Sequence, residues 1–196
     1  PYESFQTNVL GAFNYLDACR VNNIKRFIFA SSGAVFGNTK PPLKETNIRL
    51  PISPYGSSKL TIETFCETFS NVFNLNTTIL RFSNAYGPYS LHKKSIISKF
   101  ISNILSNKSI QVNGNGNITR DYIHVTDLAR AHLNSLNYFK YNTKPLFINL
   151  ATGKGHSVME VIYEIERQSG LKVNYEFVDR RKGDPSIVIS KSKYKN

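Results

Sequence analysis

At 196 residues, 40% apolar and 12% aromatic, the chain can bury a sizeable core, which sets it apart from disordered and low-complexity sequences. Its formal charge of +12 comes from 25 Lys and Arg against 13 Asp and Glu, yet the basic residues fall in short clusters such as Lys93-Lys94 and Arg180-Arg181-Lys182. No recognition helix, stacking platform or zinc spacing surrounds them, so neither nucleic acid nor a membrane is an expected partner.

From Tyr2 to Val21, apolar residues recur at helical spacing (Phe5, Val9, Phe13, Leu16, Cys19) until Asn22-Asn23 stops the run. Lys25 to Ser31 reads as a buried strand ending in the hydroxyls Ser31 and Ser32. A loop rich in Pro and Asn runs from Gly37 to Pro54, then a helix extends to about Phe73, and Asn76 to Phe82 is the next strand. Strand, helix and strand in alternation predict an α/β fold with a parallel, doubly wound sheet. Beyond Pro88 the pattern predicts a helix at 94–106, a short strand at 110–112, turns through Asn113-Gly114-Asn115-Gly116-Asn117, a helix at 125–136 and a strand at 145–150. Ser157 and Glu160 form a capping-box pair for a helix to Ser169, and a strand at 172–177 precedes the basic tail. Cys19 and Cys66 have neither metal-ligand spacing nor a disulfide pattern, which suits a reducing, cytoplasmic setting, and no metal site is expected.

Tyr55 and Lys59 are separated by one helical turn, so the ammonium and the phenol can approach on one face. A nearby cation favours the phenolate and makes such a tyrosine a usable base for a hydroxyl proton. The bare spacing is common by chance, but a strand-end Ser two dozen residues upstream turns it into a triad, because catalytic groups in open α/β sheets gather at the carboxyl ends of strands. His92, His124, His132 and His156 are unclustered, and His124 reads as a structural hydrogen-bonding residue.

Six segments carry a resemblance: Asn8-Val9-x-Gly11, Ser31 to Gly37, Pro54-Tyr55-Gly56-x-Ser58-Lys59, Leu80 to Pro88, Thr119 to Ala129, and Arg180-Arg181-x-Gly183-Asp184. With these, nearly end to end, the chain resembles the nucleotide-sugar epimerases of the extended short-chain dehydrogenase/reductase family, similar to UDP-glucose 4-epimerase. The resemblance implies the C-terminal part of a Rossmann-like doubly wound sheet plus a small α/β substrate-binding lobe. Residues 1–88 would be the partial dinucleotide-binding domain and 89–196 mainly the lobe, with 119–150 returning to the Rossmann part. It implies NAD as cofactor and a UDP-linked sugar as substrate, an anion that would account for part of the positive charge. By the same resemblance Ser32, Tyr55 and Lys59 are catalytic, and Asn8, Ser31, Phe82, Tyr55 and Lys59 contact the cofactor, Asn8 from a helix start. Ser32, Asn84, Arg120, Arg181, Asp184 and Val188 would hold the substrate, the two arginines clamping its diphosphate. A homodimer through helices 2–21 and 55–73 is implied as well.

Gly33 and Ala34 follow Ser32 where related dehydratases and decarboxylases carry an acid, which favours epimerisation over elimination. Val188 stands where a bulky aromatic restricts the resembling enzymes to plain hexoses, so an N-acetylhexosamine is an expected substrate as well. The Gly-rich phosphate turn of dinucleotide folds, with its acid about 20 residues on, is missing: Gly114-x-Gly116 and Gly153-x-Gly155 read as turns. The resemblance therefore implies a fragment whose pyrophosphate site lies upstream of Pro1. Two other readings stand beside the epimerase: a reductase or dehydrogenase of the same family, and an inactive interaction module.

Overall fold

The computed structural model describes residues 1–92, 95–138, 144–180 and 185–194. The first helical run comprises α1 (Tyr2–Phe5), a π-helical turn (Gln6–Gly11) and α2 (Ala12–Val21), continuous in backbone but widened in the middle. Strand β1 (Arg26–Ser32) follows, then a single 3₁₀ turn (Gly33–Phe36), the long loop, and α3 (Pro54–Phe73). Helix α3 starts where its chemistry dictates: Ser53 Oγ accepts from Gly56 N, Pro54 takes the first-turn position that lacks an N–H partner, and left-handed Asn74 ends it. Next come β2 (Asn76–Phe82), β3 (Asn84–Tyr86), α4 (Ile96–Leu105), β4 (Ile110–Asn113), β5 (Thr119–His124) and α5 (Val125–Tyr138). The chain closes with β6 (Leu146–Leu150), β7 (Gly155–Ser157), α6 (Val158–Ser169), β8 (Tyr175–Val178) and β9 (Ile187–Val188).

The chain is α/β, with β1, β2 and β6 forming a parallel sheet in that spatial order. Its register sets Phe29, Ile79 and Phe147 side by side, and one rung toward the carboxyl end sets Ser31, Arg81 and Asn149 side by side. Because side chains alternate across a strand, both rows face the helical layer, an apolar row below and a polar row above. Leu16 of α2 and Ile62, Cys66 and Phe69 of α3 pack on the apolar row to make the first core. Phe13 meets Phe65 and Phe69 edge-on at 5.0 and 5.9 Å. Both thiols are free, and burial pushes the Cys66 thiol up.

A second core joins Phe100, Ile110, Val112, Val158, Ile162 and Val173, contributed chiefly by α4, β4 and α6. The expected capping box is present, Ser157 Oγ accepting from Glu160 N at 3.1 Å and Ser157 N donating to Glu160 Oε2 at 2.6 Å. Several short strands go beyond the sequence reading: β5 pairs with β3, β7 and β9. These lack an apolar run, so periodicity carried no signal for them. The 94–106 helix begins at Ile96, and the strand expected at 172–177 starts only at Tyr175, where it pairs with β4.

Candidate active site

Six residues singled out from sequence line one cleft of about 530 Å³: Ser31 and Phe82, and the four that reach it from separate elements, Ser32, Tyr55, Asn84 and Arg120. Each comes from a different element end: Ser32 closes β1, Tyr55 sits in the first turn of α3, Asn84 opens β3 and Arg120 lies on β5. Ser32 also caps the 3₁₀ turn, its Oγ accepting from Ala34 N at 3.2 Å, which fixes the side chain yet leaves its proton free to donate. The start of α3 packs against this turn through Gly56, where a Cβ would lie 2.6 Å from the Ala34 carbonyl oxygen. A side chain there would hold Tyr55 away from Ser32.

Tyr55 is 44% exposed, its phenol open to the cleft. The Lys59 ammonium lies 5.8 Å from the Tyr55 ring centroid and 5.1 Å from that of Phe29, and donates to the Ala30 carbonyl at 3.0 Å on the outer edge of β1. Burial lowers the Lys59 pKa, because its charge is poorly solvated. Asn8 departs from the expected position at a helix start, because it stands inside the π-helical turn. Its amide donates to Ser58 Oγ at 3.1 Å, and that hydroxyl donates to the Tyr55 carbonyl at 2.8 Å, tying the widened turn to the catalytic helix. π-Turns recur at functional sites because the extra residue re-aims side chains and backbone.

Ser31 borders the cleft but is 3% exposed, and its hydroxyl donates to Glu63 Oε1 at 2.6 Å in the helical layer. Phe82 does reach the cleft, its ring edge-on to His132 at 5.7 Å. Arg120 Nη1 donates to the carbonyls of Thr119 at 2.9 Å and Ser186 at 3.4 Å. Val188 is paired with Arg120 in register, but its side chain packs on Val35, Phe36 and Leu43 and is not among the cleft's lining residues. Arg181 and Asp184 lie outside the described residues. His124 is structural, its Nδ1 2.8 Å from Thr126 Oγ1 and its ring edge-on to Tyr86.

Two more groups belong to the cleft without having been read from sequence. Tyr122 is 8% exposed, and burial pushes its phenol up to about 12 against the opposing charge of Arg120. Its hydroxyl has no partner among the described residues. Reading 119–124 as a strand would have found it, since residues two apart share a face. Lys99, in the first turns of α4, adds a second cation beside Arg120, and among the described residues no carboxylate lines the cleft. A larger cavity of about 1090 Å³ lies between α5, β6 and residues 190–194, away from all of these residues. Among the described residues no cluster of His, Cys, Asp and Glu could hold a metal, and no helix is long and apolar enough to cross a membrane.

A hydroxyl, a phenol and an ammonium at the strand ends of a parallel α/β sheet, opposite a cationic wall, define a site of the short-chain dehydrogenase type. Residues 1–151 match the NAD dependent epimerase/dehydratase family, and the chain belongs to it. It is 36% identical over 181 residues to a putative UDP-glucose 4-epimerase of Methanocaldococcus jannaschii, covering 90% of this chain and 58% of that protein. The structure of a UDP-N-acetylglucosamine 4-epimerase from Methanobrevibacter ruminantium M1, in complex with UDP-N-acetylmuramic acid, superimposes with a TM-score of 0.88 at 31% identity over 96% of this chain and 61% of that one. The UDP-glucose-4-epimerase of Stenotrophomonas maltophila, with bound NAD and formylated UDP-arabinopyranose, gives 0.88 at 28% identity with the same two coverages. The chain thus spans about three fifths of the length of the proteins it matches, 58% and 63% for two of the curated relatives.

Proposed function

We propose that the chain carries the proton-transfer and substrate-holding part of an NAD-dependent nucleotide-sugar 4-epimerase, acting on a UDP-hexose or UDP-N-acetylhexosamine. The observation that carries this reading is the single cleft that gathers Ser32, Tyr55, Asn84 and Arg120, with the Lys59 ammonium beside the phenol. In it Ser32 donates to the reacting hydroxyl of the sugar and orients it, and Tyr55 takes that proton. Lys59 holds Tyr55 as the phenolate that accepts this proton, and the phenol so formed returns it when the opposite face of the 4-keto sugar is reduced. Arg120 and Lys99 supply the positive field for the diphosphate, with Arg181 and Asp184 proposed as further contacts. The residues present fit the nicotinamide end of NAD: Lys59 has ammonium protons left for a ribose hydroxyl, and Phe82 offers an apolar wall. When bound, the nicotinamide supplies hydride acceptance and return at the sugar's C4. The small side chains of Gly33 and Ala34 leave no acid there for elimination.

Domain roles follow from the two cores: residues 1–88 with the β1, β2 and β6 sheet hold the chemistry, and the part around α4, β4 and α6 holds the nucleotide. The first helical run and α3 expose Tyr2, Phe5, Leu10, Tyr15, Val72 and Phe73, an apolar surface suited to a homodimer of this chain. Replacing Tyr15 with Asp should convert a dimer seen by light scattering into a monomer; a monomeric parent would refute this assembly.

The activity is tested by supplying UDP-glucose and NAD and following the anomeric proton resonances. The expected outcome is UDP-galactose with no net gain in nicotinamide absorbance, and Tyr55→Phe should slow the conversion by about 10²–10⁴-fold while leaving UDP-sugar binding intact. Stoichiometric NADH would replace this reading with that of a dehydrogenase.

A further inference from the structure

Behind the cleft lies a buried ionic cluster that the proton-transfer scheme does not use. Glu63 of α3 is fully buried, and each of its carboxylate oxygens takes two donors. Oε1 accepts from Ser31 Oγ at 2.6 Å and Arg81 Nε at 2.9 Å. Oε2 accepts from Arg81 Nη2 at 2.8 Å and, from the solvent side, Arg49 Nη1 at 3.4 Å. The Arg81 guanidinium is 2% exposed and is clamped between the rings of Phe36 and Phe147, 4.9 and 4.8 Å from their centroids. The carboxylate has no capacity left for a proton acceptor role at the substrate, so whatever it does it does through geometry.

The placement of those partners is specific. Glu63 stands one helical turn beyond Lys59 and two beyond Tyr55 on α3. Ser31 immediately precedes Ser32, and Arg81 immediately precedes Phe82, with Ser31 and Arg81 paired in register and Ser32 paired with Phe82 one step on. One carboxylate therefore grips the helix that bears the base and the two strand ends that bear the orienting hydroxyl and the cleft wall.

We infer that Glu63 is a positioning residue that fixes the Tyr55–Lys59 helix relative to Ser32 through Ser31 and Arg81; the inference rests on the epimerase reading of the cleft. Stability alone does not require such a group, because well-packed apolar residues in place of a buried ion pair are often neutral or stabilising. An apolar contact has no direction, however, and lets a helix slide on a sheet. The bidentate Arg81 pair and the short Ser31 bond specify one axial and one rotational setting.

The test compares the wild type with the Glu63→Met/Arg81→Met double variant and with Ser31→Ala, measuring kcat and KM for UDP-glucose conversion beside urea unfolding. The double variant should fold with wild-type stability and unchanged KM while kcat falls about 10²-fold, the effect of a catalytic group misplaced by about 1 Å. Ser31→Ala, which removes one charge-assisted bond, should lower kcat about tenfold with unchanged KM, beside a modest fall in the unfolding midpoint. Wild-type kcat in a folded double variant overturns the inference. If the double variant does not fold, Ser31→Ala decides: a fall in kcat at unchanged KM in the folded protein supports positioning, while unchanged kcat, with or without a loss of stability, overturns it. A wild type that converts no UDP-sugar overturns the epimerase reading itself, and the inference with it.

Discussion

Replacing Gly56 with Ala sets two general rules against each other. In a helix, alanine is favoured over glycine by about 1 kcal/mol, so propensity alone predicts a more stable protein. At this position the new methyl would lie 2.6 Å from the Ala34 carbonyl oxygen, 3.0 Å from Pro51 Cβ and 3.2 Å from the Ala34 carbonyl carbon. Non-bonded atoms rest at about 3.5 Å or more, so relief takes a backbone shift of roughly 1 Å. None of the nearest contacts is the far end of a flexible side chain, so the start of α3 must move off the turn that follows Ser32. Overpacking of this kind costs about 1–3 kcal/mol, which leaves a net loss of roughly 0–2 kcal/mol after the propensity gain. The same shift separates Tyr55 from Ser32 and should lower kcat by about 10²-fold. Urea unfolding at constant m-value, paired with UDP-glucose turnover, measures both effects. A Gly56→Ala protein as stable and as fast as the wild type would show that the close approach to Ala34 does not set the site.

Two further outcomes are expected. Lys59→Met should be more stable than the wild type at neutral pH, because burial lowers the folded-state pKa of this lysine below its usual value. The folded chain then holds that proton less tightly than the unfolded chain, so wild-type stability rises as pH climbs from the folded pKa toward the usual lysine value, and the variant's advantage should fade over that window in urea titrations. Asp121 is 1% exposed and accepts from Thr152 N, Thr152 Oγ1 and Gly153 N at 2.9, 2.8 and 2.9 Å, binding the strand of Arg120 to the turn after β6. Asp121→Asn turns one acceptor into a donor facing an N–H and should cost about 1–3 kcal/mol in urea unfolding; a stability change too small to measure would refute that role.

Elements built on a repeating apolar pattern were legible in the sequence. Helix α3 was read to its last residue because Pro54 and the stripe through Ile62, Cys66 and Phe69 mark it, and β2 because Thr77 to Leu80 is an unbroken buried run. The segment Thr119–His124 hid its strand character behind Arg120 and Asp121, whose burial is satisfied by partners more than 30 residues away in sequence. Glu63 was invisible for the same reason: a charge on the core face of a helix looks like an error in the pattern until its counter-charge on β2 is known. Ser31 and Ser32 are indistinguishable as letters, and only the strand's alternation sends one hydroxyl to Glu63 in the helical layer and the other to the opposite face. The π-turn around Asn8 leaves no mark, since one extra residue per turn alters periodicity over too short a span to notice.

That turn also divides the first helical run into two parts with different surroundings. Leu16 and Phe13 are bound to the first core, whereas Tyr2 and Phe5 on the far side of the widened turn are free of it. The turn itself is anchored, with Val9 in the first core and the Asn8 amide on Ser58 of α3, so the residue it adds is absorbed where the run meets the catalytic helix. A one-residue length change there would therefore be felt first at Ser58 and the Tyr55 carbonyl, which makes the start of the chain part of the mounting of the catalytic helix.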